Sequence, residues 1–111
     1  MKRSVKKAAS ALDSSDEVFA SAAELFKVMS AAMRLKILAC LGDGEQNVSY
    51  LLGKINTTQP NMSQHLSTLH RATILGKRRD GIQIFCHVID ERVLEICQTV
   101  CAHVESAETR L

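Results

Sequence analysis

The chain has 111 residues, a mass of 12.2 kDa and a net charge of +2. That is enough for one domain with a modest core and too little for two. Hydrophobic content of 46% with 23% charged residues fits an ordinary globular chain, and no apolar run approaches the roughly 20 residues that span a bilayer. The start, MKRSVKKAASAL, is basic but has no continuous apolar stretch, so it makes a poor signal peptide and a cytoplasmic location is expected. In that compartment four cysteines point to sensing, metal binding or burial rather than to structural disulfides.

Residues 1–12 carry no hydrophobic period and read as a mobile basic arm, with Lys2, Arg3, Lys6 and Lys7. Residues 13–111 read as the folded domain. Ser14 and Glu17 have capping-box spacing, and Phe19, Ala22, Ala23, Phe26 and Met29 follow at helical spacing. A second helix is expected over 31–41, with Leu35, Leu38 and Leu41 inward, stopped by Gly42-Asp43-Gly44-Glu45. A third is expected over 48–55, with Asn56 as a left-handed C-cap. Thr58 caps a fourth, in which Pro60 occupies the first turn, where its missing N–H costs little. The hydrophobic period then changes to two. Residues 74–79 and 82–88 flank Asp80-Gly81, a strong signal for a type I′ hairpin. A last helix starts near Asp90, with Val93, Ile96, Cys97, Val100, Cys101 and Val104 on one stripe. The order ααααββα, with a short link between the third and fourth helices, predicts a mainly α winged helix-turn-helix with a small hairpin.

The fourth helix carries the chemistry. Met62, Leu66 and Leu69 share one line and should face the core. Gln64, Ser67, Thr68 and Arg71 point away from it, with Asn61, Ser63 and His65 on the flanks. Amides and hydroxyls can donate to and accept from base edges, and arginine favours guanine. Thr58, Gln59 and the free N–H groups of the first turn can hold a phosphate. There is no carboxylate between Glu45 and Asp80 to repel one. Lys77, Arg78 and Arg79 at the hairpin tip suit phosphate or minor-groove contact. Solvated helix faces usually carry Glu and Lys, so double-stranded DNA is the expected partner. A protein-interaction module is the alternative. There is no nucleophile–base pairing at motif spacing, no phosphate-binding glycine loop and no complete metal set, so an enzyme is not expected, nor a cofactor.

The segments MSAAMRLKILACLGDGE, VSYLLGKINTTQPNMSQHLSTLHRA and RRDGIQIFCHV resemble the ArsR/SmtB family of small winged-helix repressors. The resemblance covers about residues 25–104, and Gln59, Ser63, Gln64, His65, Leu66 and Leu69 carry its most specific part. It implies a homodimer joined by the first and last helices, a pseudo-palindromic operator, and repression relieved by a small inducer. Thr73 departs from it, standing where the family usually has glycine after the recognition helix. Either that turn is altered or it carries strain. The family's soft-metal cysteines correspond here to Asn47 and Ser49. Its last-helix zinc ligands correspond to Asp90, Arg92, His103 and Ser106, a half-set that does not make a zinc site. Cys40 matches a cysteine of the thiol-sensing branch, which responds to reactive sulfur or oxidants by linking that cysteine to one on the last helix. The resemblance therefore implies sensing through Cys40 with Cys101, and Cys97 nearby. Cys97 and Cys101, four apart on one face, also suit a shared metalloid or soft metal ion. Simple core filling remains open for all the cysteines, and Cys86 reads as buried.

Overall fold

Residues 15–110 are described by a computed structural model, and the basic arm expected over 1–12 lies outside them. Helix α1, Asp16–Met29, begins after Ser15, whose side chain makes no capping bond. Ser14, of the box expected with Glu17, lies outside the described residues. Asp16 and Glu17 in the first turn complement the helix dipole. Helix α2, Ala32–Cys40, buries Ile37 and Leu38. Strand β1, Gln46–Asn47, leads directly into α3, Val48–Lys54, where Asn47 caps the helix by accepting from the Tyr50 N–H at 2.7 Å. Strand β1 has no counterpart among the elements expected from the sequence.

Helix α3 does not end in a left-handed residue at Asn56. Ile55 leaves it in extended conformation (φ −116°, ψ 124°), which buries the isoleucine side chain and turns the chain towards the next helix. Helix α4 is Gln59–Arg71. Its end forms a Schellman motif. The Thr73 N–H donates to the His70 carbonyl at 3.0 Å, and the Ile74 N–H donates to that of Leu69 at 3.1 Å. Thr73 pays for this geometry with φ 60°, so the strained alternative holds and the turn is unaltered.

Strands β2, Leu75–Asp80, and β3, Gln83–Val88, pair antiparallel, and β1 adds to the far edge of β3, giving the order β1-β3-β2. Asp80 pairs with Gln83, so the two-residue loop is Gly81–Ile82 and not Asp80–Gly81. Only Gly81 has positive φ (65°) in that loop. A type I′ turn needs two such residues, whereas a type II′ turn needs one, with glycine first. Helix α5, Glu91–Arg110, is capped by Asp90, whose Oδ1 accepts from the N–H groups of Arg92 and Val93.

The core lies where α2, α3, α4, the sheet and the first half of α5 meet. Ile37, Leu38, Leu51, Met62, Leu69, Ile74, Leu75 and Val93 are fully buried there. By contrast α1 and the second half of α5 leave Phe19, Phe26, Val100 and Val104 exposed. No helix among the described residues is long and apolar enough to cross a membrane.

Candidate functional site

Helix α4 is fixed from beneath by Met62, Leu66 and Leu69, all buried as their spacing predicts. Its polar face is therefore held in one orientation. Gln59, Asn61, Ser63, Gln64, Ser67 and Arg71 are exposed on it. The N-terminal turn is internally bonded. Thr58 Oγ1 accepts from the Asn61 N–H at 3.2 Å, and Asn61 Nδ2 donates to Thr57 Oγ1 at 2.8 Å. Thr68 is half-buried and its hydroxyl donates back to the Gln64 carbonyl at 3.1 Å. His65 is also half-buried, with Nδ1 3.1 Å from Arg34 Nη1 on α2. Arg34 in turn donates to the Val28 carbonyl, so one arginine ties α1, α2 and α4 together. His70 is a structural residue, with Nδ1 3.0 Å from the Leu75 carbonyl oxygen.

The hairpin divides its three consecutive cations between two faces, because successive strand residues alternate. Lys77 lies opposite Cys86 and Arg79 opposite Ile84, while Arg78 lies opposite Phe85. Lys77, Ile84 and Cys86 line a cleft of about 420 Å³ shared with Gln59, Ser63 and Ser67 of α4. Arg78 is turned to the other face. Its Nη2 and Nε donate to the Glu45 carboxylate at 2.7 and 3.2 Å, and its guanidinium lies 4.5 Å from the Phe85 ring centre. The Arg78 hydrogen bond holds the Glu45 carboxyl below its usual value. His87 is half-buried on that same face, with Nδ1 buried, without a hydrogen bond, and 3.9 Å from Glu45 Oε2. Its ring covers Gly76, where a Cβ would come within 2.7 Å of the ring.

Four residues of this site had no sequence signal that named them: Glu45, Asn47, Gln83 and Phe85. Asn47 Nδ2 donates to Gln83 Oε1 at 3.4 Å, across the junction of β1 and the hairpin. The one available hint was Glu45 itself, the last carboxylate before a long acid-free stretch.

All four cysteines are free thiols. Cys86 is buried in the sheet, with Sγ 4.0 Å from His70 Nε2, and burial pushes its thiol up. Cys40 is half-buried at the end of α2. Cys97 is buried, its thiol 3.9 Å from the Leu35 carbonyl, and Cys101 is exposed one turn later. Burial first, and the Cys101 thiol beside it second, push Cys97 up to about 11. Cys97 and Cys101, with Phe26, Met29, Leu35 and Val100, line an apolar pocket of about 140 Å³ between α1, α2 and α5 that Cys40 does not reach. Among the described residues no three His, Cys, Asp or Glu side chains gather as a metal site, and Asp90 is committed to capping α5.

A buried-backed polar helix, preceded by a short helix and followed by a basic hairpin, is the geometry of a winged helix-turn-helix. An uncharacterized HTH-type transcriptional regulator, MJ1325 of Methanocaldococcus jannaschii, is 35% identical over 85 residues, which is 76% of this chain and 96% of that protein. The chain belongs to the ArsR/SmtB family of DNA-binding winged-helix transcriptional repressors. The HTH-type transcriptional repressor SmtB of Mycobacterium tuberculosis is 28% identical over 87 residues, 78% of this chain and 64% of SmtB. Among solved structures, the antimony-specific transcriptional repressor AntR superposes with a TM-score of 0.78 at 26% identity, covering 86% of each chain. No family model matches the sequence. Within the ArsR/SmtB fold, α3 and α4 form the helix-turn-helix and the β2–β3 hairpin forms the wing.

Proposed function

We propose that this ArsR/SmtB protein acts as a homodimer that reads a two-fold operator through α4 and the wing, and that thiol modification releases it. The observation that carries the DNA contact is the polar face of α4, free of carboxylates and seated rigidly on the core. Gln64, Ser67, Arg71, Asn61 and Ser63 face the bases, and Thr68 and His65 support that face from its edges. Thr58, Gln59 and the first-turn N–H groups take a phosphate. Lys77 and Arg79 of the wing add phosphate or minor-groove contacts. Exposed apolar residues on α1 and α5 supply a self-complementary surface for the second protomer.

Anisotropy titrations against promoter DNA at several salt concentrations test the reading. Gln64→Ala should weaken operator binding without changing the salt slope. Arg79→Ala should weaken it and lower the slope by about one. If both variants bind as the parent does, or the parent shows no salt-sensitive binding and acts instead as a protein-interaction module, the reading fails.

For the inducer, Cys101 is the entry thiol because it is exposed beside a pocket that Cys97 also lines, and Cys40 is the partner thiol that the family resemblance offers. Intact-mass measurement after persulfide or peroxide treatment should show modification that abolishes operator binding. A protein unchanged in mass, or one that stays on DNA when modified, would end this part. The adjacency of Cys97 and Cys101 favours one second reading, capture of a trivalent metalloid or soft metal by both sulfurs. Arsenite and antimonite titrations, with release from DNA as readout, separate the two.

A further inference from the structure

We infer that Glu45 is a positioning residue of the wing: by clamping Arg78 on the face turned away from α4, it sets the hairpin so that Lys77 and Arg79 alone meet DNA. This rests on the DNA-binding reading above. Glu45 sits just before β1, outside the hairpin, so its carboxylate links the body of the domain to the middle of β2. The link is bidentate, and the guanidinium is also stacked on Phe85. Most exposed ion pairs hold nothing in place. Those with two hydrogen bonds and a planar stacking partner are the exceptions. Phe85 pairs with Arg78 on one side and Asn47 on the other, so the clamp spans all three strands.

The hairpin needs such a support. A two-stranded ribbon is marginally stable by itself in water, and β1 pairs only as far out as Phe85. Beyond it, the Asn47–Gln83 amide contact ties the domain body to the tip. An unclamped tip would sample many orientations, and DNA would have to select one. Arg78, for its part, commits Nε and Nη2 to the clamp, which keeps its charge on the face turned away from α4.

Electrostatics and clamping predict opposite signs for one substitution. Glu45→Gln removes a negative charge near a polyanion. If Glu45 only repels DNA, or competes with it for Arg78, binding becomes tighter. If it clamps the wing, binding becomes weaker, by roughly twofold to fivefold for a well-formed exposed pair. Arg78→Ala should weaken binding similarly while leaving the salt slope unchanged, whereas Lys77→Ala and Arg79→Ala each lower the slope by about one. Exchanging the charges, Glu45→Arg with Arg78→Glu, should restore most of the affinity. Tighter or unchanged binding by Glu45→Gln, or a reduced slope for Arg78→Ala, overturns the inference. Amide hydrogen exchange over residues 78–85 reads the clamp without DNA. Faster exchange there in Glu45→Gln is expected, and unaltered exchange overturns the inference whatever the protein binds. Absence of salt-dependent DNA binding by the parent protein would instead sink the DNA reading.

Discussion

Thr73 shows what the end of α4 requires. The Schellman motif needs a left-handed residue there, and threonine is among the least suited to supply it, because its branched Cβ crowds the backbone at φ 60°. Thr73→Gly should raise the unfolding free energy by about 1 kcal/mol, the scale of a left-handed penalty less the entropy glycine loses. Urea denaturation measures it, and a loss of stability would mean that the threonine side chain contributes more than its backbone costs. Cys97 carries a second residue-scale consequence. Its folded-state value of about 11 lies above the ordinary thiol value of 9.0, so the folded state holds the proton more tightly. The stability this group contributes is complete below pH 9 and is lost as pH rises towards 11. At neutral pH iodoacetamide should therefore label Cys101 well before Cys97, as peptide mass mapping will report. Equal labelling would place both thiols at the surface.

At the scale of elements, α4 shows how a helix can be both a core component and a reading head. Leu69 is fully buried, so Leu69→Ala should cost about 2–5 kcal/mol, read by denaturation. Asn47→Ala removes the cap of α3 and should cost about 1 kcal/mol by the same measurement. The helices, the hairpin and the inward line of Met62, Leu66 and Leu69 were legible in the sequence, since each repeats a period over many residues. Strand β1 was not. Two residues cannot display a period, and Gln46–Asn47 becomes a strand only because β3 offers an edge. The hairpin turn was displaced by one residue for a related reason. The Asp-Gly pair is a local signal, whereas the observed pairing of Asp80 with Gln83 is a property of the whole sheet. Arg78 illustrates the limit most clearly. In sequence it is one of three adjacent cations, and its partner lies 33 residues away. The alternation that sends it to the opposite face was readable from a period of two. The carboxylate waiting there was not.

At the scale of the molecule, most of the exposed large apolar side chains fall into two groups. Ile82 stands alone at the wing tip, 98% exposed, and Ile82→Ser should leave the melting temperature unchanged, since nothing is buried to lose. Of the others, Tyr50 and Ile89 lie elsewhere, while Val18, Phe19 and Phe26 on α1 and Val100 and Val104 on α5 lie on the two helices expected to meet a second protomer. Val100→Asp should convert a dimer into a monomer in sedimentation and weaken operator binding with it. A parent protein that sediments as a monomer would refute the pairing. One consequence reaches beyond binding. If much of the apolar surface of α1 and α5 is covered only by a second copy, dilution uncovers it, and folding becomes a mass-action process in the chain's own concentration. A cell holding few copies would then hold them as shorter-lived, protease-accessible chains, so the amount of this regulator would bear on its lifetime before any inducer arrives.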